Sequence, residues 1–252
     1  RMQEVVDRMM ELTALESRRM LQNQQRVALG AMLHELAAGA RGITVSTLKE
    51  ARHFFAVGIT DILYAVGISP DKLPQVHALR QSGCNLKVIT DNADTARAIA
   101  DFCRTQECEL EVWIEIDCDG HRSGIAPEDP ALLEVARQLA ARPALLGGVM
   151  THAGSSYGCK TPEALAAIAE QERAGCVRAA ERLRAAGFSC PNVSVGSTPS
   201  ALGALHLDGV TEVSVNLITA QATIHSDHAL TAEELCSTVT RLGYQAQLQA
   251  PI

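Results

Sequence analysis

From about residue 40 onward, short runs of β-branched and other apolar residues alternate with stretches whose apolar positions recur every three to four residues. The first pattern has the period of a strand, and the second has the period of an amphipathic helix. Strands that alternate with helices are typical of a parallel sheet covered by helices. We therefore predict six strands, at Gly42–Ser46, Asp61–Val66, Leu86–Thr90, Leu110–Asp117, Leu146–Thr151 and Val193–Gly196.

Helix start and stop signals support this assignment. Asp129 followed by Pro130 is typical of an N-cap with proline at the first helical position. Thr161 and Pro162 repeat that signal before a long helix rich in Ala, Glu and Arg, which Gly187 should terminate. Six βα repeats spaced 20 to 40 residues apart favour a barrel over an open sheet, although periodicity alone fits both.

The two ends of the chain depart from this alternation. Residues 1–38 contain no strand-like run and predict one or two amphipathic helices. After Val210 the predicted order is strand, strand, helix, strand, which is typical of an α+β unit. These four elements are Glu212–Leu217, Ala222–Ser226, Thr231–Leu242 and Tyr244–Leu248. The sequence thus predicts a helical segment (1–38), a βα-barrel domain (39–208) and a C-terminal α+β segment (209–252).

Composition narrows the class of protein. A chain of 252 residues with 47% hydrophobic residues can bury one large core. Its net charge of −7, with basic residues spread along the chain, argues against a nucleic-acid partner. No apolar run approaches the roughly 20 residues of a membrane span, and no signal segment opens the sequence. We expect a cytoplasmic protein.

Cysteine and lysine usage constrains the chemistry further. The eight cysteines show no C-x-x-C spacing, so we expect neither a zinc site nor a disulfide framework. Lysine is scarce: the chain has only Lys49, Lys72, Lys87 and Lys160.

Candidate site residues follow the predicted strands, because catalytic groups of parallel α/β folds gather where the strands end. After the fourth strand comes the polar turn 117–124 with Arg122, which could contact an anionic oxygen or simply face solvent. After the fifth strand come His152 and Tyr157 on a loop of small residues. They could supply an imidazole and a phenol, although a hydrogen-bonded core histidine is the competing interpretation.

After the sixth strand, Gly196, Ser197 and Thr198 open a helix. Backbone N–H groups and hydroxyls at such a start favour a phosphate, although many similar turns are only helix caps. Lys49 is better explained as an exposed lysine in the first turn of a helix. A phosphate anchor, an arginine, a histidine and a tyrosine together suit a phosphorylated planar cofactor such as pyridoxal phosphate.

Five strings, in order, resemble the alanine-racemase-type (fold type III) pyridoxal phosphate enzymes. The similarity is to the group with D-serine dehydratase, D-threo-3-hydroxyaspartate dehydratase and D-threonine aldolase, over about residues 38–213. The strings are GARGITVSTLKEA (39–51), GITDILYAVGI (58–68), EVWIEIDCDGHRSGI (111–125), THAGSSYGC (151–159) and VSVGSTPS (193–200).

The resemblance implies roles for the candidate residues. Arg122 would hydrogen-bond the phenolic oxygen of pyridoxal phosphate, and His152 would pack against its ring. Tyr157 would lie near the substrate, and the phosphate would be held by Gly196, Ser197 and Thr198. The implied reaction removes the α-proton of a D-3-hydroxy amino acid and eliminates water and ammonia, or cleaves the α–β carbon bond.

Two departures from the family pattern are visible. The family's Schiff-base lysine would precede the glycine matching Gly39 by about fifteen residues, yet no lysine precedes Lys49. The neighbourhood holds Gln22–Arg26 instead. A rival interpretation of residues 25–38 is the dimerisation helix of a sensor histidine kinase.

The second departure is C-terminal, where the family continues into a β-domain with a His/Cys metal site. Residues 209–224 and 230–248 instead resemble the second half of a heavy-metal-associated, ferredoxin-like domain. The paired cysteines of that domain belong to its first half, so no metal site is expected.

The leading hypothesis is therefore a pyridoxal-phosphate-dependent lyase for small D-3-hydroxy amino acids, on an incomplete (β/α) barrel of the alanine-racemase N-terminal type. The alternative is a catalytically inactive binding module that keeps the barrel, because the Schiff-base lysine is missing. The resemblance also implies a homodimer.

Overall fold

The computed structural model describes residues 42–140 and 144–213. The predicted helical segment at 1–38, with its histidine-kinase interpretation, lies outside the described residues. So does the C-terminal segment from residue 214 onward. Within the described ranges, no helix has the length and apolar character needed to cross a membrane.

One parallel sheet of seven strands forms the centre of the described structure. All six strands predicted from hydrophobic periodicity are present, with bounds shifted by two residues or fewer. The strands are β1 (Ile43–Val45), β2 (Asp61–Gly67), β3 (Asn85–Thr90), β4 (Leu110–Ile116), β5 (Ala144–Thr151), β6 (Asn192–Val195) and β7 (Glu212–Val213).

The order of the strands in space equals their order in sequence, and every neighbouring pair is parallel. A doubly wound sheet would reverse direction at a switch point, whereas a barrel adds each strand beside the previous one. Within the described residues, β1 and β7 each have one strand neighbour. The fold is therefore the predicted (β/α) barrel in an incomplete form.

Helices connect the strands. They are α1 (Leu48–Ala56), α2 (Leu73–Gln81), α3 (Ala93–Thr105), α4 (Ala131–Leu139), α5 (Pro162–Ala185) and α6 (Thr198–Gly203), with 3₁₀ turns at Pro70–Lys72 and Gly154–Gly158.

The predicted helix caps are found, with one correction. The Thr161 side chain accepts a hydrogen bond from the Ala164 N–H (3.2 Å) and caps α5 as predicted. Asp129 was expected at the N-cap of α4, but Pro130 takes that position and the helix begins at Ala131. Asp129 still caps the helix end, because its carboxylate accepts the Ala131 N–H at 2.8 Å.

The C-terminal end of the described chain differs from the prediction. The strand from Glu212 was expected to start an antiparallel pair, but Glu212–Val213 extends the barrel sheet parallel to β6. The Thr211 N–H donates to the Val193 carbonyl at 2.9 Å, which brings the chain alongside β6. The predicted domain boundary at residue 209 stays a prediction.

The main core lies between the sheet and its helices. Outward-facing strand residues such as Ile62, Val88 and Ile114 pack there against helix residues such as Ile99 and Leu132. A second cluster covers the opposite, inner face of the sheet. Its members are Leu63, Ile89, Trp113 and Met150.

Polar pairs share the inner face with this cluster. The indole N–H of Trp113 donates to the Glu111 carboxylate at 2.7 Å, and Lys87 pairs with Asp61 at 2.8 Å. Gly147 on β5 lies against the first pair. A Cβ there would come within 2.4 Å of Glu111 Oε1 and 2.6 Å of Trp113 Nε1. The Glu111–Trp113 hydrogen bond therefore depends on glycine at this position.

We predict that Gly147→Ala lowers the free energy of unfolding by about 1–3 kcal/mol, because the added methyl overpacks the buried Trp113 and its partner Glu111. The matched control is Gly67→Ala in β2, where a Cβ would meet nothing within 4 Å. Urea unfolding followed by the fluorescence of Trp113, the chain's single tryptophan, measures both variants. Equal midpoints for the two variants would contradict this packing argument.

Candidate active site at the carboxyl ends of β4, β5 and β6

Three strand-end segments form the candidate site: 117–124 after β4, 152–158 after β5, and 196–197 after β6. Because β4, β5 and β6 are neighbours in one parallel sheet, their following segments emerge at the same edge. The structure therefore brings together the segments that carry Arg122, His152, Tyr157 and Ser197.

The β4 segment is a turn held at both ends. Asp117 accepts the Gly120 N–H at 2.8 Å, and the chain then returns beside β4 through an Ile116–Ile125 bridge. Gly124, with φ of 118°, lies so close to the strand that a Cβ would be 2.6 Å from the Asp117 nitrogen. Glycine is required there, and it fixes the loop that carries Arg122.

Arg122 lies across the β5 segment. A Cβ on Gly154 would come within 2.7 Å of both Cγ and Cδ of Arg122. The same two segments are tied by Asp119, whose Oδ2 accepts the Ser155 N–H (3.0 Å) and hydroxyl (2.7 Å). Burial acts to raise the pKa of Asp119, but hydrogen bonds from Ser155 and His121 bring it below its ordinary value. Asp119 is thus a carboxylate that joins two loops.

His152 and Tyr157 face each other in the β5 segment. Their rings stack with centroids 5.8 Å apart and planes 25° apart. Burial, and next the Arg122 guanidinium, lower the pKa of His152, while hydrogen bonding to the Gly196 backbone acts in the opposite direction. The lowered pKa favours the neutral form of the His152 imidazole. Tyr157 is 47% exposed, which places its phenol on the open side of the pair.

The β6 segment is joined to the β5 segment through buried hydroxyls. Ser197 is fully buried, and its Oγ shares hydrogen bonds with Ser156 Oγ (2.7 Å) and Ser200 Oγ (2.9 Å). Its N–H donates to Ser200 Oγ at 2.8 Å, which completes a capping box at the start of α6. Gly196 has a φ of 128°. The side chain of Thr198 lies outside the described structure.

Ser197 therefore does cap the start of α6, and its polar groups already have hydrogen-bond partners within the protein. Its predicted contact with a phosphate would require one of these internal bonds to be exchanged.

Several polar residues around the site were not identified from the sequence. Glu115, on the inner face of β4, accepts the Ser123 hydroxyl at 2.8 Å, and Asp91 after β3 accepts the Gly124 N–H at 3.1 Å. Burial raises the pKa of Glu115, and the Ser123 hydroxyl opposes that shift. Glu115 alternates with apolar strand residues, and this alternation was the available signal for an inward position.

Glu172 in the middle of α5 was also missed. Glu172 is only 1% exposed, and its Oε1 accepts the Ala153 N–H at 2.7 Å. It is spaced three and four residues from the buried residues Ala169 and Cys176, so helical periodicity would have placed it on the buried face.

All four lysines lie within the described residues. Lys49 and Lys160 are exposed, in the first turn of α1 and just before α5. Lys72 donates to the Tyr64 hydroxyl at 2.9 Å, and Lys87 pairs with Asp61 on the inner face. Lys49 and Lys160 therefore belong to the same edge of the sheet as the candidate site.

Across residues 42–140 and 144–213, no group of three or more His, Cys, Asp or Glu side chains could hold a metal ion. Seven free cysteines are found in these ranges, with Cys84, Cys103, Cys176 and Cys190 buried.

Comparison with known proteins identifies the class that this fold and site represent. The family described as "Alanine racemase, N-terminal domain" matches residues 22–215. The chain belongs to this family, which confirms the resemblance inferred from the five strings and extends it to residue 22.

Among individual relatives, the chain is 57% identical over 214 residues to the D-threo-3-hydroxyaspartate dehydratase of Delftia sp. (strain HT23). That match covers 83% of this chain and 56% of the relative. A D-serine dehydratase of Dictyostelium discoideum is 31% identical over 168 residues, covering 64% of this chain and 42% of the relative. The chain thus spans about half the length of these curated relatives. By contrast, an uncharacterized protein of Mycobacterium tuberculosis, 41% identical over 178 residues, is covered over 98% of its length, as against 69% of this chain.

Solved structures of related enzymes have the same fold as this chain. The Delftia dehydratase superposes with a TM-score of 0.71 at 63% identity, over 72% of this chain and 48% of that one. A D-threonine aldolase from Filomicrobium marinum gives 0.65 at 23% identity, over 74% and 50%, and shows the fold alone. One structure of a D-threo-3-hydroxyaspartate dehydratase mutant is described as being in the metal-free form. The expected absence of the family metal site in this chain stays a prediction.

We predict that Arg122→Gln raises the pKa of His152 toward its ordinary value, because removing a nearby cation makes the imidazolium easier to form. Histidine NMR signals followed against pH measure this shift, with the His152 signal assigned by its loss in His152→Asn. The control is Arg97→Gln, since Arg97 pairs with Asp94 on α3. An unchanged His152 titration in Arg122→Gln would show that the guanidinium does not act on this ring.

Proposed function

We propose that this chain is a pyridoxal-phosphate-dependent lyase that acts on D-3-hydroxy amino acids. The observation that carries the proposal is the 57% identity to a D-threo-3-hydroxyaspartate dehydratase over 83% of the chain. The chain also keeps the arginine, histidine and tyrosine that the family resemblance assigns to the site. The substrate class follows from the names of the relatives, which include dehydratases and aldolases of D-amino acids.

The side chains present fit the ring of such a cofactor. Arg122 offers a guanidinium that suits a phenolate oxygen, and it is held in place across Gly154. His152 offers a flat, neutral ring, so it can pack against another ring without bringing a second cation. Gly196, Ser197 and Thr198 would surround the phosphate, with a bond of the Ser197 hydroxyl exchanged for one to a phosphate oxygen.

Pyridoxal phosphate, when bound, supplies the electron sink that stabilises negative charge at the α-carbon of an amino acid. The chain's own residues have to orient the substrate and move its protons. Arg122 would fix the orientation of the ring, and Tyr157 on the open side would contact the substrate. The lowered pKa of His152 leaves a ring nitrogen free of its second proton at neutral pH, so it can accept a hydrogen bond.

A covalent link to the protein needs a lysine amine. Lys72 and Lys87 are engaged by Tyr64 and Asp61, whereas Lys49 and Lys160 are exposed at the edge of the sheet that carries the site. Lys49 is the first candidate for this covalent link. The second candidate function is a binding module without turnover, and it is favoured by the engagement of Lys72 and Lys87, which leaves neither amine available for a covalent link.

We expect pyridoxal phosphate to bind saturably to the purified protein, with a change in the visible absorbance spectrum. Borohydride reduction followed by peptide mass mapping then tests for a covalent adduct, with Lys49→Arg and Lys160→Arg as site checks. An adduct on one lysine supports the lyase, and saturable binding without an adduct supports the binding module. Absence of binding at millimolar cofactor would refute both.

We further expect Arg122→Ala to weaken pyridoxal phosphate binding by about 10- to 100-fold, since it removes a hydrogen bond to a charged group. Arg97→Ala, which removes an arginine of α3 that pairs with Asp94, serves as the control. In a lyase, ammonia release from D-threo-3-hydroxyaspartate should fall in the same variant at subsaturating cofactor. Equal affinity for pyridoxal phosphate in the two variants would show that Arg122 does not contact the cofactor.

The remaining expectations concern assembly and location. A homodimer and a cytoplasmic location stay predictions, which light scattering and cell fractionation would test.

A further inference from the structure

Glu172 is a buried carboxylate directly behind the candidate site. It lies midway along α5 and is 1% exposed, and it shares the buried face with Ala169, Cys176 and Leu183. A charged group at such a position is unfavourable unless hydrogen bonds hold it. The role of this residue therefore depends on what it contacts.

Its contacts reach two different strand-end segments. The Ala153 N–H, next to His152, donates to Glu172 Oε1 at 2.7 Å. On the other side, Glu172 lines one small cavity together with Gly196 and Ser200. Burial raises the pKa of Glu172, and the Ser200 hydroxyl, the Ala153 amide and the Gly196 amide oppose that rise as hydrogen-bond donors. One side chain thus faces both the β5 segment and the β6 segment.

We propose that Glu172 is a positioning residue that fixes the β5 segment relative to the β6 segment. It thereby sets the separation between His152, which would contact the cofactor ring, and Ser197, which would lie at its phosphate. The inference rests on the proposed function for the identity of the ligand. Its geometric part, the holding of two loops by one carboxylate, stands independently of any ligand.

The geometric part is tested by hydrogen exchange of the ligand-free protein in Glu172→Gln. Glutamine keeps the shape but presents an NH₂ group to some of the N–H and O–H donors, so these hydrogen bonds are lost. We expect about tenfold faster exchange in peptides covering 150–160 and 193–203, with no change over α2. The matched control is Glu181→Gln, an exposed glutamate on the same helix.

The functional part is tested by comparing pyridoxal phosphate with pyridoxal, which lacks the phosphate. A loosened β6 segment should lower affinity for the phosphorylated compound about tenfold more than affinity for pyridoxal, whereas general destabilisation would weaken both equally. If the wild-type protein binds neither compound, the proposed function fails, and the exchange experiment still decides whether Glu172 positions the loops.

A second variant covers the case in which Glu172→Gln does not fold. Glu172→Asp keeps the carboxylate but shortens the side chain by one methylene, so it should lose its hold on at least one segment, with faster exchange over 150–160 or 193–203 and no change over α2. Wild-type exchange in both segments of Glu172→Gln would overturn the proposal. A uniform rise that includes α2 would overturn it as well, because it would show only a loss of global stability.

Discussion

The hydrogen bond between the Ser156 and Ser197 hydroxyls, 2.7 Å long and buried, joins the two loops that would form opposite sides of the cofactor site. Asp119 makes the corresponding connection between the β4 and β5 loops through Ser155. Loops at strand ends are ordinarily the most mobile parts of a parallel α/β fold. Here side chains tie three of them to one another, and the positions of Arg122 and His152 depend on those ties.

These ties are possible because of the winding of the sheet. Each strand lies beside its predecessor, so successive loops are also neighbours in space. A carboxylate or hydroxyl on one loop can then reach the next loop with a single short side chain. Glu172, on the long helix α5, contacts the β5 loop and faces the β6 loop from the core side.

Much of this arrangement could be predicted from the sequence. The strands could be predicted because their apolar residues, such as Val112 and Ile114, alternate or form short continuous runs. In helices the apolar positions instead recur every three to four residues. Arg122, His152 and Ser197 were identified because polar residues follow buried strands. The family strings then gave these residues roles that geometry alone does not assign.

What escaped prediction depends on contacts between elements distant in sequence. Glu172 accepts a hydrogen bond from a residue 19 positions earlier, and Asp91 from one 33 positions later. The parallel pairing of Glu212–Val213 was missed because two residues carry no periodicity, and the backbone contact of Thr211 with Val193 decides it. The position of Asp129 differed by one residue, which is within the uncertainty of a helix boundary, and its carboxylate still accepts the Ala131 N–H.

Two cysteines lie beside Glu172. The Cys118 thiol donates to the Glu172 carbonyl at 3.5 Å, and the Cys176 thiol donates to the Ser194 carbonyl at 3.6 Å. Burial raises the pKa of Cys118 to about 12 and that of Cys176 well above its ordinary value. Because the thiolate is the reactive form, these raised pKa values disfavour reaction of either sulfur with oxidants and alkylating reagents. The packing behind the site therefore keeps these two cysteines in their less reactive thiol form.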